Sequence, residues 1–246
     1  MLYLYRGQSL LALMVSLALS SFLLLVIISF YSNSQQQNHR LFLQLRLQNE
    51  LQRTLQLIGK DLRRAGFRAL AEKLTQTNVH LFEQDPQGKS LVITHADQEA
   101  EQSCVLFFYD LDATGCIGST YKSGSCITDG HNTAKTIERE LFGYRLSKGM
   151  IETRSTYKSA VDESCTQAQC QSYLHQPACN SGGWTDLLDA NDIQITQFSL
   201  NWLIENSLLE VKLQGKLKRY TQIHYATSLV VPLLNQESPS HLAKEY

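Results

Sequence analysis

The sequence predicts an α+β fold in which one long N-terminal helix precedes an antiparallel β domain. Three observations carry this expectation. Residues 10–30 form an uncharged apolar run, about the 20 residues that a helix needs to cross a bilayer. Leu47, Leu51, Leu55, Ile58 and Leu62 then recur at spacings of four, four, three and four, which places them on one helix face. From residue 90 onward the hydrophobic period falls to two, the period of a half-buried strand.

Residues 1–7 are a short polar leader ending in Arg6-Gly7, set directly against the apolar run. An ordinary secretory signal has its small-residue cleavage site after the apolar region; here Ser29-Phe30-Tyr31-Ser32-Asn33 puts aromatics where small residues belong. The apolar helix is therefore expected to stay in the mature chain. Residues 33–38 are polar but contain neither proline nor glycine, so nothing stops the helix before Gly66, a natural C-terminal stop. A continuous helix over residues 8–66, with its membrane segment at 10–30, would be about 90 Å long. Residues 67–246 remain for a single globular domain. Within it, strands are expected at 90–97 and 104–112, in a hairpin of 140–146 and 150–157 turning at Lys148-Gly149, in a second hairpin of 193–205 and 208–218, and at 221–234. Pro232 marks the last of these as an edge strand or a strand end. Residues 184–189 read as a short helical turn.

The six cysteines, Cys104, Cys116, Cys126, Cys165, Cys170 and Cys179, all lie beyond the apolar run. An even number in a loop-rich region indicates disulfides and an oxidising compartment. Six cysteines allow fifteen pairings; short loops favour Cys116 with Cys126, and Cys165 with either Cys170 or Cys179. Zinc is the competing reading, since Cys165, Cys170, His175 and Cys179 are spaced C-x4-C-x4-H-x3-C, but the first gap is two residues too long for the usual thiolate turn. Arg40 and Arg46 after the span nearly balance Arg6 and the amino terminus before it, so the positive-inside rule does not orient the chain. The cysteines do, and they put the C-terminal domain outside the cytoplasm.

The junction Gly7-Gln8-Ser9-Leu10-Leu11-Ala12-Leu13-Met14-Val15 resembles the leader of type IV pilins and type II secretion pseudopilins, which a prepilin peptidase cuts after the glycine. That resemblance implies processing between Gly7 and Gln8, a pilin-like fold and burial of the apolar helix among the helices of other subunits. The family usually has Phe where this chain has Gln8 and Glu where it has Ala12. That Glu is understood to pair with a neighbouring subunit's amino terminus, a charge pair placed in lipid. Its absence implies a rare subunit near the filament tip. Lys60-Asp61-Leu62-Arg63-Arg64-Ala65-Gly66-Phe67, the block at 103–112 and Gly183-Trp184-Thr185-Asp186-Leu187 are similar to minor pilins of the PilW type and the prepilin peptidase-dependent protein B group. What this implies is a minor pilin that initiates or caps a type IV, competence-type filament. Its partners would be other minor pilins, the major pilin, the prepilin peptidase and the inner membrane, with DNA at most indirect. A pseudopilin of type II secretion and an uncleaved, signal-anchored periplasmic binding or sensory domain are the alternatives.

Little else in the sequence carries chemistry. With 246 residues and a net charge of −1, no global basic excess argues for nucleic acid. Arg46, Arg53, Lys60 and Arg64 fall on one helix sector opposite the leucines; they read as a solvated face, or as a contact for a neighbouring subunit or for phosphates of lipid or DNA. Asp110-Leu111-Asp112-Ala113-Thr114-Gly115 begins like a calcium loop, but position twelve is Tyr121 rather than an acid, so a turn built by Asp and Gly is expected. No Gly-x-Ser-x-Gly, His-Glu-x-x-His or phosphate loop occurs. No enzyme activity, metal or cofactor is expected.

Overall fold

The computed structural model describes residues 10–70, 74–119, 124–154, 163–181 and 183–236. In chain order its elements are helix α1 (Leu10–Leu62), strands β1 (Leu91–Thr94), β2 (Cys104–Phe108), β3 (Ile127–Thr128), β4 (His131–Asn132), β5 (Leu141–Ser147) and β6 (Met150–Arg154), short helices α2 (Gln167–Ser172) and α3 (Pro177–Asn180), and strands β7 (Trp184–Asp186), β8 (Ile193–Ile204), β9 (Leu208–Leu217) and β10 (His224–Pro232). The fold is α+β, as the change of period implies. Two compact units meet within α1, one ending at Arg46 and one beginning at Leu47.

The first unit is helical throughout its described length. Its apolar side chains are bare: Leu10, Phe22, Leu25 and Phe30 are each more than 60% exposed. By length and composition this stretch is able to cross a membrane.

In the second unit α1 behaves as its leucine spacing requires. Leu47, Leu51, Leu55, Ile58 and Leu62 are all buried, each worth about 1.5–3 kcal/mol of transfer from water. The face lies on the three-stranded sheet ordered β10-β9-β8. A Cβ on Gly215 of β9 would stand 3.3 Å from Leu51, and one on Gly59 would meet Leu229 of β10. Small residues on both elements thus let helix and sheet approach closely. Gln52 Nε2 donates to the Tyr225 hydroxyl at 3.0 Å.

α1 stops at Leu62, four residues short of the expected Gly66. The chain then turns through residues 63–66, and the Gly66 N–H donates to Phe108 O at 2.8 Å. Gly66 has φ +80°, and a Cβ there would lie 2.2 Å from the backbone oxygen of Asn235. Only glycine satisfies both demands.

The second sheet is ordered β1-β2-β5-β6-β7, with every neighbour antiparallel. The β5–β6 hairpin turns at Lys148 (φ 50°) and Gly149 (φ 74°), a pair of left-handed residues whose twist matches the strands. Two expectations are corrected. The strand at 104–112 ends at Phe108, because Asp110 N turns aside to Phe67 O. Residues 184–189 hold a strand rather than a helical turn: Trp184, Thr185 and Asp186 pair with Arg154, Thr153 and Glu152. Pairing with β6 outweighs a local helical preference too short to stand alone. β10 is an edge strand that ends on Pro232. Residues 155–157 of the expected hairpin lie outside the described residues.

Candidate functional site

The segment joining α1 to the domain gathers most of the polar chemistry. Asp61 Oδ2 accepts from the Tyr144 hydroxyl of β5 at 2.5 Å, a charge-assisted bond that ties the helix end to the sheet. Burial, and then the Asp61 charge beside it, drive the Tyr144 pKa upward. Arg64 sits over the Tyr109 ring at 6.0 Å. Tyr109 stacks on Phe142 with centroids 4.1 Å apart and planes 7° apart. Arg64, Phe67, Tyr109, Asp110 and Leu111 line a shallow cavity of about 310 Å³.

Behind this cavity two buried carboxylates shape the loop after β2. Asp110 Oδ1 accepts from Thr114 N at 3.0 Å, and its Oδ2 accepts from Gly115 N at 2.8 Å and Ala69 N at 3.1 Å. Glu140 Oε1 accepts from Leu111 N at 2.7 Å and Asp112 N at 3.3 Å, and Oε2 accepts from Gly118 N at 2.6 Å. One oxygen each of Asp110, Asp112 and Glu140 lies within 4.8 Å of the others. The oxygens of Asp110 and Glu140 accept from backbone N–H groups along this loop.

Burial pushes the Glu140 carboxyl up to about 7, against the pull of Gly118 and Leu111, with Asp112 and Asp110 adding repulsion. Burial also raises Asp110. A carboxyl raised in the folded state binds its proton more tightly there than in the unfolded chain. The stability it contributes is therefore full below its ordinary value of 4.5 and is lost as pH rises through about 7. We expect the thermal midpoint to fall between about pH 5 and about pH 8, and Glu140→Gln, neutral throughout, to flatten that fall. Thermal scans across this range check it, and an unchanged slope in the variant refutes the assignment.

All six cysteines are paired, as Cys104–Cys179, Cys116–Cys126 and Cys165–Cys170. None is free to offer zinc a thiolate, and His175 Nε2 lies 2.9 Å from Gln84 Oε1. Cys104 starts β2 and Cys179 lies in α3. Arg145 closes this corner, with Nε on Glu152 at 2.5 Å, its guanidinium 4.6 Å from the Trp184 ring, and a bond to Cys179 O.

Gly7 and Gln8 lie outside the described residues. Ala12 and Arg46 are exposed on the first unit, while Arg53, Lys60 and Arg64 are exposed on the second. Among the four basic residues, Arg64 is set against an aromatic ring. Glu140, Tyr144 and Arg145 were missed from sequence because their partners are 22, 83 and 34 residues away. No local pattern marks such pairs.

The sequence is 54% identical to an uncharacterized protein of Haemophilus influenzae over 235 residues, 95% of this chain and 98% of that one. No solved structure matches. The family model for prepilin peptidase-dependent protein B matches residues 40–233, a span that holds the α1–sheet joint, all three disulfides and every strand. With most of its length matched in this way, the chain belongs to the prepilin peptidase-dependent protein B family.

Proposed function

We propose that this chain is a minor pilin that helps to initiate or cap a type IV filament of the PilW-like, competence-supporting kind. The observation that carries the reading is the asymmetry of α1. Its buried residues begin at Leu47, while the apolar side chains of residues 10–30 are exposed. A helix that is apolar all round requires lipid or other helices around it. Lipid surrounds it before assembly, and sister helices replace lipid afterwards. The role is assembly rather than catalysis: the raised carboxylates Asp110 and Glu140 accept from backbone N–H groups of the loop after β2. In this reading the prepilin peptidase cuts after Gly7, and the disulfide-bonded domain faces the periplasm from the inner membrane. The domain then selects neighbouring pilins, and any effect on DNA uptake is indirect.

Intact-mass measurement of the chain purified from its native membrane tests this. A mature terminus at Gln8, with or without N-methylation, is the expected result. Retained Met1, together with absence from sheared fibres, overturns it.

A further inference from the structure

The sheet edges of this domain are not alike. β1 and β7, which flank the five-stranded sheet, are four and three residues long, too short to template another chain. β8 is long, but two register irregularities interrupt it, between Ile195 and Gln197 and between Trp202 and Ile204. Its outer side is also occupied: Ile195 N donates to Gly149 O at 2.8 Å and Leu200 N to Gln102 O at 3.0 Å. β10 has none of these protections. Its nine residues pair with β9 without a break, it contains no lysine, arginine or acid, and its proline is the last residue. Among the described residues, no backbone bond joins β10 to anything beyond β9. Natural edges of this length are normally blunted by charge, bulge or cover.

The helix beside β10 decides what can pair with it. Gln52 bonds Tyr225, and Gly59 lies against Leu229 and Val231, so α1 and β10 advance in the same direction. Each copy has one open side on β10, so two copies could join these strands only antiparallel, about a two-fold axis normal to the sheet. That operation points the two α1 helices in opposite directions, which chains anchored in one membrane cannot do. A contact between unlike strands is free of this restriction, and contacts of that kind build open helical assemblies.

We infer that the free edge of β10 accepts an extended strand from a different subunit anchored in the same membrane. This rests on the assembly reading above. Backbone donors and acceptors supply affinity, and side chains at the two ends supply selectivity. At the His224 end stand Lys216 and the exposed Arg219, which call for acidic residues on the partner. At the Pro232 end, Ile204, Leu208 and Pro232 form a row across three strands. Ile204 is 59% exposed, Val230 44% and Leu234 83%, so that end calls for apolar residues.

The test compares deuterium exchange over residues 224–232 in the full chain in detergent and in fibres sheared from a host making all the filament subunits. Exchange of β10 is expected to slow about 100-fold or more in the fibre, as for a buried ladder bond, while β9, already paired on both sides, changes little. Ala226→Lys combined with Ser228→Lys alters two exposed positions; it is expected to keep the thermal midpoint and to lower the chain's presence in fibres by about tenfold or more. A chain processed after Gly7 and present in fibres with β10 still exchanging freely overturns the edge contact and leaves the assembly reading intact. An unprocessed chain absent from fibres overturns both. A Ser228→Cys dimer on a non-reducing gel reveals self-pairing and also overturns the edge contact.

Discussion

Removing the Cys104–Cys179 bridge is expected to cost more stability than removing either of the others. It joins residues 75 apart in sequence, against 10 for Cys116–Cys126 and 5 for Cys165–Cys170. In the chain-entropy account a cross-link restricts the unfolded state more as the loop it closes grows, giving about 4 kcal/mol for the long bridge and about 2 kcal/mol for the shortest. Both sulfurs are fully buried, so the paired variant Cys104→Ala/Cys179→Ala also leaves a small void. It further frees the corner at which Arg145 reaches Cys179 O. Urea unfolding of the three paired variants, compared by midpoint at constant slope, gives the order directly. If the Cys165/Cys170 variant proves the least stable, loop entropy is not what this bridge supplies.

Glu140→Ala is expected to destabilise the domain by about 1–3 kcal/mol at neutral pH, although no bond to a ligand or to another side chain is lost. The buried N–H of Gly118 would lose its acceptor, and an unsatisfied buried donor costs roughly 1–3 kcal/mol; the N–H groups of the exposed Leu111 and Asp112 would lose theirs too but can turn to water. Glu140→Gln keeps one carbonyl acceptor but turns an amide donor toward a backbone donor, so it is expected to fall between the two. Hydrogen exchange separates this account from a general loosening. The amides of the loop at 110–118 should exchange faster in Glu140→Ala while the β8–β9 ladder keeps its protection. Equal acceleration everywhere counts against a local role for the carboxylate.

Much of this architecture was legible because it is periodic. A helix face of five leucines and isoleucines needs only the 3.6-residue repeat, and the hairpins at Lys148-Gly149 and between β8 and β9 need only alternation and a turn. Trp184 shows where that legibility stops. Three residues beside Leu187 and Leu188 fit either period, and β6 decided the matter by offering an unpaired edge. The Asp110 motif stands out in the sequence, yet the second carboxylate beside it, Glu140, carries no local mark.

The buried amides behave in the same way. Asn78 donates to Ile117 O at 2.7 Å and to Asn132 Oδ1 at 2.6 Å, and accepts from Ile117 N at 2.7 Å. These partners lie 39 and 54 residues away. Composition near Asn78 says only that a polar residue is present. Burial then forces it to find partners, because an unpaired amide in the core is costly.

The sequence by itself determined the apolar helix, the stripe on which its second half packs, most of the strands and the even set of six cysteines beyond the apolar run, because each depends on neighbours a few residues apart. The tertiary structure alone decided which cysteines meet, where α1 ends against Phe108, which carboxylates sit in the interior and which sheet edge stays open. Those depend on groups that the chain brings together across tens of residues, where the cost of burying an unpaired charge or donor selects the partner and local pattern has no say.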